Sequence, residues 1–174
     1  MKKTVLTVLG VIMITSIVFA GSAPVKAELK EGGFSLMIPS EWTVDETELQ
    51  NGSLFIATQM KEYMGFYFQK LKGDYKTVKK NLEKSFINEA FEPIDAGSVK
   101  PKSVKKASCS KVNGIEVCSA EFKYDLGAGL QKTYFGVFQT KKGAYKVIFS
   151  TDEGTYNKLI AKIKKIIKTM KLIK

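Results

Sequence analysis

The sequence predicts an α+β fold built on an antiparallel sheet, and three observations predict it. Short segments rich in aromatic and β-branched residues recur at turn-sized intervals along the chain. Two longer segments instead carry apolar residues at helical spacing. The later strands follow one another through turns too short for parallel crossovers, which makes a meander the economical topology. A sheet of this size has two faces to cover, and two long helices are available to cover them.

The elements follow in order. Phe34-Ser35-Leu36-Met37-Ile38 alternates toward Pro39, and Trp42-Thr43-Val44 resumes after a turn. Asn51-Gly52 marks a second turn before Leu54-Phe55-Ile56-Ala57, and Gly65-Phe66-Tyr67-Phe68-Gln69 is aromatic and strand-like. The period then changes. Asp74 is a helix cap, after which Tyr75, Val78, Leu82, Phe86 and Ala90 form one stripe until Pro93 ends the segment. Three strands are expected at Ile115 to Tyr124, Lys132 to Gln139 and Ala144 to Ser150. In the first, Cys118, Ala120, Phe122 and Tyr124 share one face while Glu121 and Lys123 share the other. A final helix is expected from Thr155 to about Leu172, with Tyr156, Leu159, Ile160, Ile163, Ile166, Ile167 and Met170 on one side.

Both cysteines of the chain lie in one ten-residue stretch, CSKVNGIEVC, from Cys109 to Cys118. Asn113-Gly114 suits a two-residue type I′ turn, whose central positions both need positive φ. Counting outward, Val112 opposes Ile115, Lys111 opposes Glu116, and Cys109 opposes Cys118. The cysteines then fall on a non-hydrogen-bonded pair, with Cα atoms about 4.5 Å apart, within reach of a disulfide. A covalent staple is the favoured reading, and two buried free thiols are the alternative. Zinc sites usually draw four ligands from Cys and His, and the chain has two cysteines and no histidine. A thioredoxin-like motif needs two intervening residues, not eight.

A disulfide needs an oxidising compartment, and the amino terminus supplies a route to one. Met1-Lys2-Lys3 is a short positive region, and Val5 to Phe19 is apolar but short of the roughly 20 residues that span a bilayer comfortably. Val25-Lys26-Ala27 places suitable residues before a cleavage bond, so residues 1–27 read as a signal peptide and Glu28 as the first residue of a single domain, 28–174. An uncleaved amino-terminal anchor is the alternative. Either way the folded part is expected outside the cytoplasm, periplasmic or secreted.

The formal charge is +11, and every cation is lysine, with no arginine. Bidentate recognition of phosphate and guanine relies mainly on the arginine fork, so nucleic acid is not an expected partner. Diffuse lysine still attracts polyanions in a salt-dependent way. Without histidine, serine-histidine and cysteine-histidine catalysis and imidazole-ligated metals are excluded. Neither a P-loop nor a dinucleotide fingerprint is present. Glu41, Asp45, Glu46 and Glu48 read as a solvated stretch rather than a catalytic carboxylate pair. No catalytic residue, metal or cofactor is therefore expected.

Read alone, the last helix resembles a cationic membrane-surface helix, with Lys158, Lys162, Lys164, Lys165 and Lys168 available for anionic surfaces. The competing reading buries its isoleucine stripe on the sheet. Leaving such side chains wet forgoes about 1.5–3 kcal/mol each, which favours the core role.

The order of elements resembles the PsbP-like superfamily. FSLMIPSEW is similar to that family's opening strand with its following proline and tryptophan. The helix after the aromatic strand, GIEVCSAEF, and the closing GAYKVIFSTDEGTYNKLIAKIKKII are similar too. The resemblance spans residues 31–174 and implies an antiparallel sheet flanked by helices on both faces, an α/β/α sandwich, in an exported protein. Plant members are extrinsic subunits of photosystem II, and many bacterial relatives are exported proteins of unassigned role. No metal- or partner-binding residue of the family matches this chain, so the photosynthetic role is not carried over. The implied function is an exported non-catalytic accessory or binding module, its partner an unspecified protein or envelope component. Association with membrane or cell-wall surfaces through the lysine-rich last helix is the alternative.

Overall fold

The computed structural model describes residues 23–45, 52–58, 65–91, 100–125, 127 and 129–173. The expected apolar run at the amino terminus, Val5 to Phe19, and Glu46, Glu48, Asn51 and Pro93 lie outside these residues. In chain order the strands are β1 (Val25–Leu29), β2 (Phe34–Ile38), β3 (Trp42–Asp45), β4 (Leu54–Thr58) and β5 (Gly65–Lys70). Two short helices follow, α1 (Tyr75–Lys80) and α2 (Leu82–Ala90). The long meander is β6 (Lys102–Val112), β7 (Ile115–Asp125), β8 (Leu130–Thr140) and β9 (Gly143–Asp152), after which come α3 (Glu153–Ile167) and β10 (Lys171–Leu172). Two sheets result, both antiparallel. The smaller has the order β1-β2-β10 and the larger β3-β4-β5-β9-β8-β7-β6.

The cysteine stretch forms the expected hairpin. Asn113 and Gly114 have φ of 46° and 86°, the left-handed pair that a type I′ turn demands. Val112 pairs with Ile115, Lys111 with Glu116 and Cys109 with Cys118. The two cysteines are disulfide-bonded, with Cα atoms 3.9 Å apart. β7 then pairs with β8 and β8 with β9 in unbroken register, so the meander is present as expected.

Two apolar clusters hold the molecule together. One gathers Leu36, Phe68, Phe138 and Phe149 with Tyr156, Ile163, Ile166, Ile167 and Met170 at and beyond α3. The isoleucine stripe is thus core, as the area argument favoured. The other gathers Val78, Leu82 and Phe86 with Cys118, Ala120, Phe122 and Tyr124, which share one face of β7 as expected. Phe86 stacks on Phe122 with ring centroids 4.2 Å apart.

Three expectations are corrected. The strands before residue 45 do not join one sheet, because β2 pairs with β1 and β10 while β3 pairs with β4. The first helix is not continuous: it breaks at Asn81 (φ −116°, ψ 36°). The Asn81 side-chain amide donates to Thr77 O at 3.3 Å and so competes with the backbone N–H for that carbonyl. The last helix stops at Ile167 rather than Leu172. Thr169 N–H and Met170 N–H bond to the carbonyls of Ile166 and Ile167, and the Asn113 amide captures the carbonyls of Lys168 and Met170.

At the start of the described residues the structure adds a strand that was not expected. Val25 to Leu29 is a strand, and Ala27, only 4% exposed, pairs with Leu36. A cut between Ala27 and Glu28 would remove three of its paired residues, those facing Leu36, Met37 and Ile38. The expected cleavage bond therefore sits inside a folded strand. Its alternation, Val25-Lys26-Ala27-Glu28-Leu29, satisfies a two-residue strand period and a cleavage pattern at once.

Candidate functional site

Burying the apolar stripe of α3 sends its lysines outward in different directions. Lys158, Lys162, Lys165 and Lys168 are exposed, and Lys164 is half-buried. Lys164 and Lys168 line a groove of about 180 Å³ between α3 and the β6–β7 hairpin. Lys162 and Lys165 border a different depression of about 300 Å³, beside Met37 and Pro39. Lys158 lines neither. The apolar stripe of the helix is buried, so it offers no free apolar face for a bilayer. Among the described residues no helix is long and apolar enough to cross a membrane.

The hairpin supplies the rest of the groove. Ser108 pairs with Ser119 and Ser110 with Val117, so alternation turns Ser108, Ser110, Val117 and Ser119 to the α3 side, while Cys109 and Cys118 lie on the other. All three serines, with Lys105 and Tyr134, line the groove together with Lys164 and Lys168. The disulfide fixes β6 against β7 between the Ser108–Ser119 and Ser110–Val117 pairs, directly behind this row of hydroxyls. Sequence reasoning missed the serines. Their trace was there, in serines alternating around Cys109.

Charge is unevenly compensated. Lys164 donates to Glu121 Oε1 at 2.6 Å and lies 5.5 Å from the Tyr134 ring centroid. Burial pushes the Glu121 carboxyl up, but the Lys164 hydrogen bond, helped by the Lys105 charge, outweighs it and leaves the group below the usual carboxylate range. Burial raises the Tyr134 hydroxyl, with Ser119 opposing. Tyr156 is raised too, by burial and then by the nearby Glu121 charge, and its hydroxyl meets no hydrogen-bond geometry. Lys123 pairs with Glu153 at 2.6 Å farther along the same face. Lys105 and Lys168 form no ion pair among the described residues.

Hydroxyls beside ammonium groups make charge-assisted hydrogen bonds to an anion. They are not arranged for acyl transfer: a serine-lysine pair needs a neutral lysine, and Lys164 is committed to Glu121. Cys109, Glu116 and Cys118 bring ligand-type atoms within 4.8 Å of one another. The sulfurs are bonded to each other, however, and Glu116 accepts from Lys79. A second polar pair lies deep in the other face: Lys146 Nζ is 3.4 Å from Glu89 Oε2, and both side chains are 3% exposed. Glu89 also accepts from the backbone N–H groups of Lys72 and Gly73 at 3.0 and 2.8 Å. These bonds tie α2 to the strand end and make the pair structural.

The fold defined by these elements is PsbP-like. The solution structure of cyanobacterial PsbP (CyanoP) from Synechocystis sp. PCC 6803 matches with a TM-score of 0.57 at 12% identity, over 91% of this chain and 98% of that one. A crystal structure from Bacteroides thetaiotaomicron VPI-5482 matches with a TM-score of 0.52 at 13% identity, over 83% of this chain and 46% of that one. No family model and no curated protein matches the sequence. At such identities the likeness is one of fold.

Proposed function

We propose that this protein is an exported, non-catalytic binding module whose recognition element is the serine-lysine groove between α3 and the stapled hairpin. The observation that carries the reading is the row Ser108, Ser110 and Ser119, fixed by the disulfide beneath Lys105, Lys164 and Lys168. Such a site takes a phosphate-type group of an envelope component by charge-assisted hydrogen bonds. The arrangement behind it is read as a sandwich with helices over both faces of the large sheet, supported by the two apolar clusters. Surface association is the second reading. Here α3 contributes only its lysine rim, since its apolar stripe is buried.

The test is a titration with inorganic phosphate and polyphosphate at low and moderate salt, followed by amide shifts. The expected result is movement at Ser108, Ser110 and Ser119 that Lys105→Ala with Lys168→Ala suppresses. No movement at low salt contradicts the reading. Export rests on the apolar run and on the disulfide, which fits an oxidising compartment. Because β1 begins at Val25, we propose processing upstream of it, where Val18-Phe19-Ala20 offers the required spacing. Amino-terminal sequencing of exported material should begin at or before Pro24. A start at Glu28 would show that the fold dispenses with three of the five residues of β1.

A further inference from the structure

The large cavity beside the Asn113 turn shares no residue with the groove. It measures about 600 Å³, within the range of ligand sites, and is lined by Lys141, Lys142 and Lys171, by Leu172 and Ile173, and by the backbone around Gly33 and Asn113. Among the described residues no acidic side chain lines it.

Its walls come from four distant segments stitched together. Thr140 Oγ1 donates to Gly32 O at 2.7 Å and accepts from Lys142 N–H at 3.0 Å, which holds the β8–β9 turn against the β1–β2 loop. Lys142 Nζ donates to Lys30 O at 2.9 Å, so this lysine has a fixed stem rather than a free one. Ile173 N–H donates to Gly33 O at 2.9 Å, and Asn113 Nδ2 donates to Met170 O at 2.8 Å, which fix the carboxyl-terminal strand. Gly33 has φ +68°, a conformation that favours glycine, and a Cβ there would meet Lys142 Cγ at 3.2 Å. The cavity is therefore largely pre-formed, which lowers the ordering cost of binding.

Its chemistry has two parts. Leu172 remains 42% exposed, as apolar surface next to cations. Lys141 and Lys171 are exposed and form no ion pair among the described residues. Apolar surface calls for an apolar body, and uncompensated ammonium groups call for an anionic head. We propose that this cavity binds a small amphipathic anion, a carboxylate or phosphate head on an apolar body, independently of the groove.

The probes are octanoate, octyl phosphate, octanol and inorganic phosphate, each titrated into the exported protein below micellar concentrations while the amides of Gly33, Leu172 and Ile173 are followed. Octanoate or octyl phosphate should bind about tenfold more tightly than octanol, since the neutral alcohol loses the charge interaction. The tighter of the two names the head group. Lys141→Ala with Lys171→Ala should remove that preference, and Leu172→Ser should weaken both amphiphiles while sparing inorganic phosphate at the groove serines. All three substituted positions are exposed, so the fold tolerates them. Octanol binding as tightly as octanoate and octyl phosphate, or a double variant with unchanged affinity, overturns the proposal. So does the absence of shifts at these amides. Failure here leaves the groove untouched, because its own serines report separately.

Discussion

The two faces of β7 differ although they alternate residue by residue. One presents Cys118, Ala120, Phe122 and Tyr124 to α1 and α2 and is dry apart from the enclosed Glu89–Lys146 pair and the hydroxyl bonds that join Tyr124, Thr133 and Ser150. The other presents Ser119, Glu121 and Lys123 toward α3, where hydroxyls and ion pairs meet solvent. The comparison shows where polarity is tolerated for stability and where it is displayed for contact. A charge on the dry face must be fully satisfied, because nothing else solvates it. On the wet face partial satisfaction suffices, which leaves cations available.

The largest effect should come from breaking the dry-face pair. Glu89→Ala leaves the Lys146 ammonium without its carboxylate and should cost about 3–5 kcal/mol in denaturant unfolding. Replacing both members with apolar residues of similar volume should restore most of that loss. A small cost for the single variant would place this pair in water and erase the contrast between the faces.

Removing the staple comes next. Cys109→Ser with Cys118→Ser opens a short loop and should cost about 2–3 kcal/mol, read as a lower denaturant midpoint with a similar slope. The smallest effect belongs to the wet face. The Glu121 carboxyl lies below its ordinary value in the folded state, so its contribution is complete above the unfolded pKa and is lost as pH falls through the lower folded one. Glu121→Gln should therefore cost on the order of 1 kcal/mol near neutral pH. The gap from the unsubstituted protein should close as pH drops below about 4. A gap that persists in strong acid would assign the loss to packing rather than charge.

How much of this was legible in sequence depended on how local the cause was. The hairpin register follows from one dipeptide and a count, so the Cys109–Cys118 pairing was readable. The meander and the buried stripe of α3 follow from short turns and period, and were readable too. The end of α3 was not, because its last carbonyls are taken by Asn113, more than fifty residues away in the chain. β1 was missed because five alternating residues also match a processing pattern. The groove was half legible. Lys164 and Lys168 stood out in the helix, but Ser108, Ser110 and Ser119 gain meaning only once tertiary packing sets them opposite it.

The most direct test compares polyphosphate affinity in the disulfide-bonded protein and in the Cys109→Ser, Cys118→Ser variant at a temperature where both remain folded. If the staple holds the serine row in place, the oxidised protein binds and the variant binds several-fold more weakly, with the shifts at Ser108 and Ser110 reduced first. Equal affinity in the two proteins, or no binding by the oxidised one, would contradict the account.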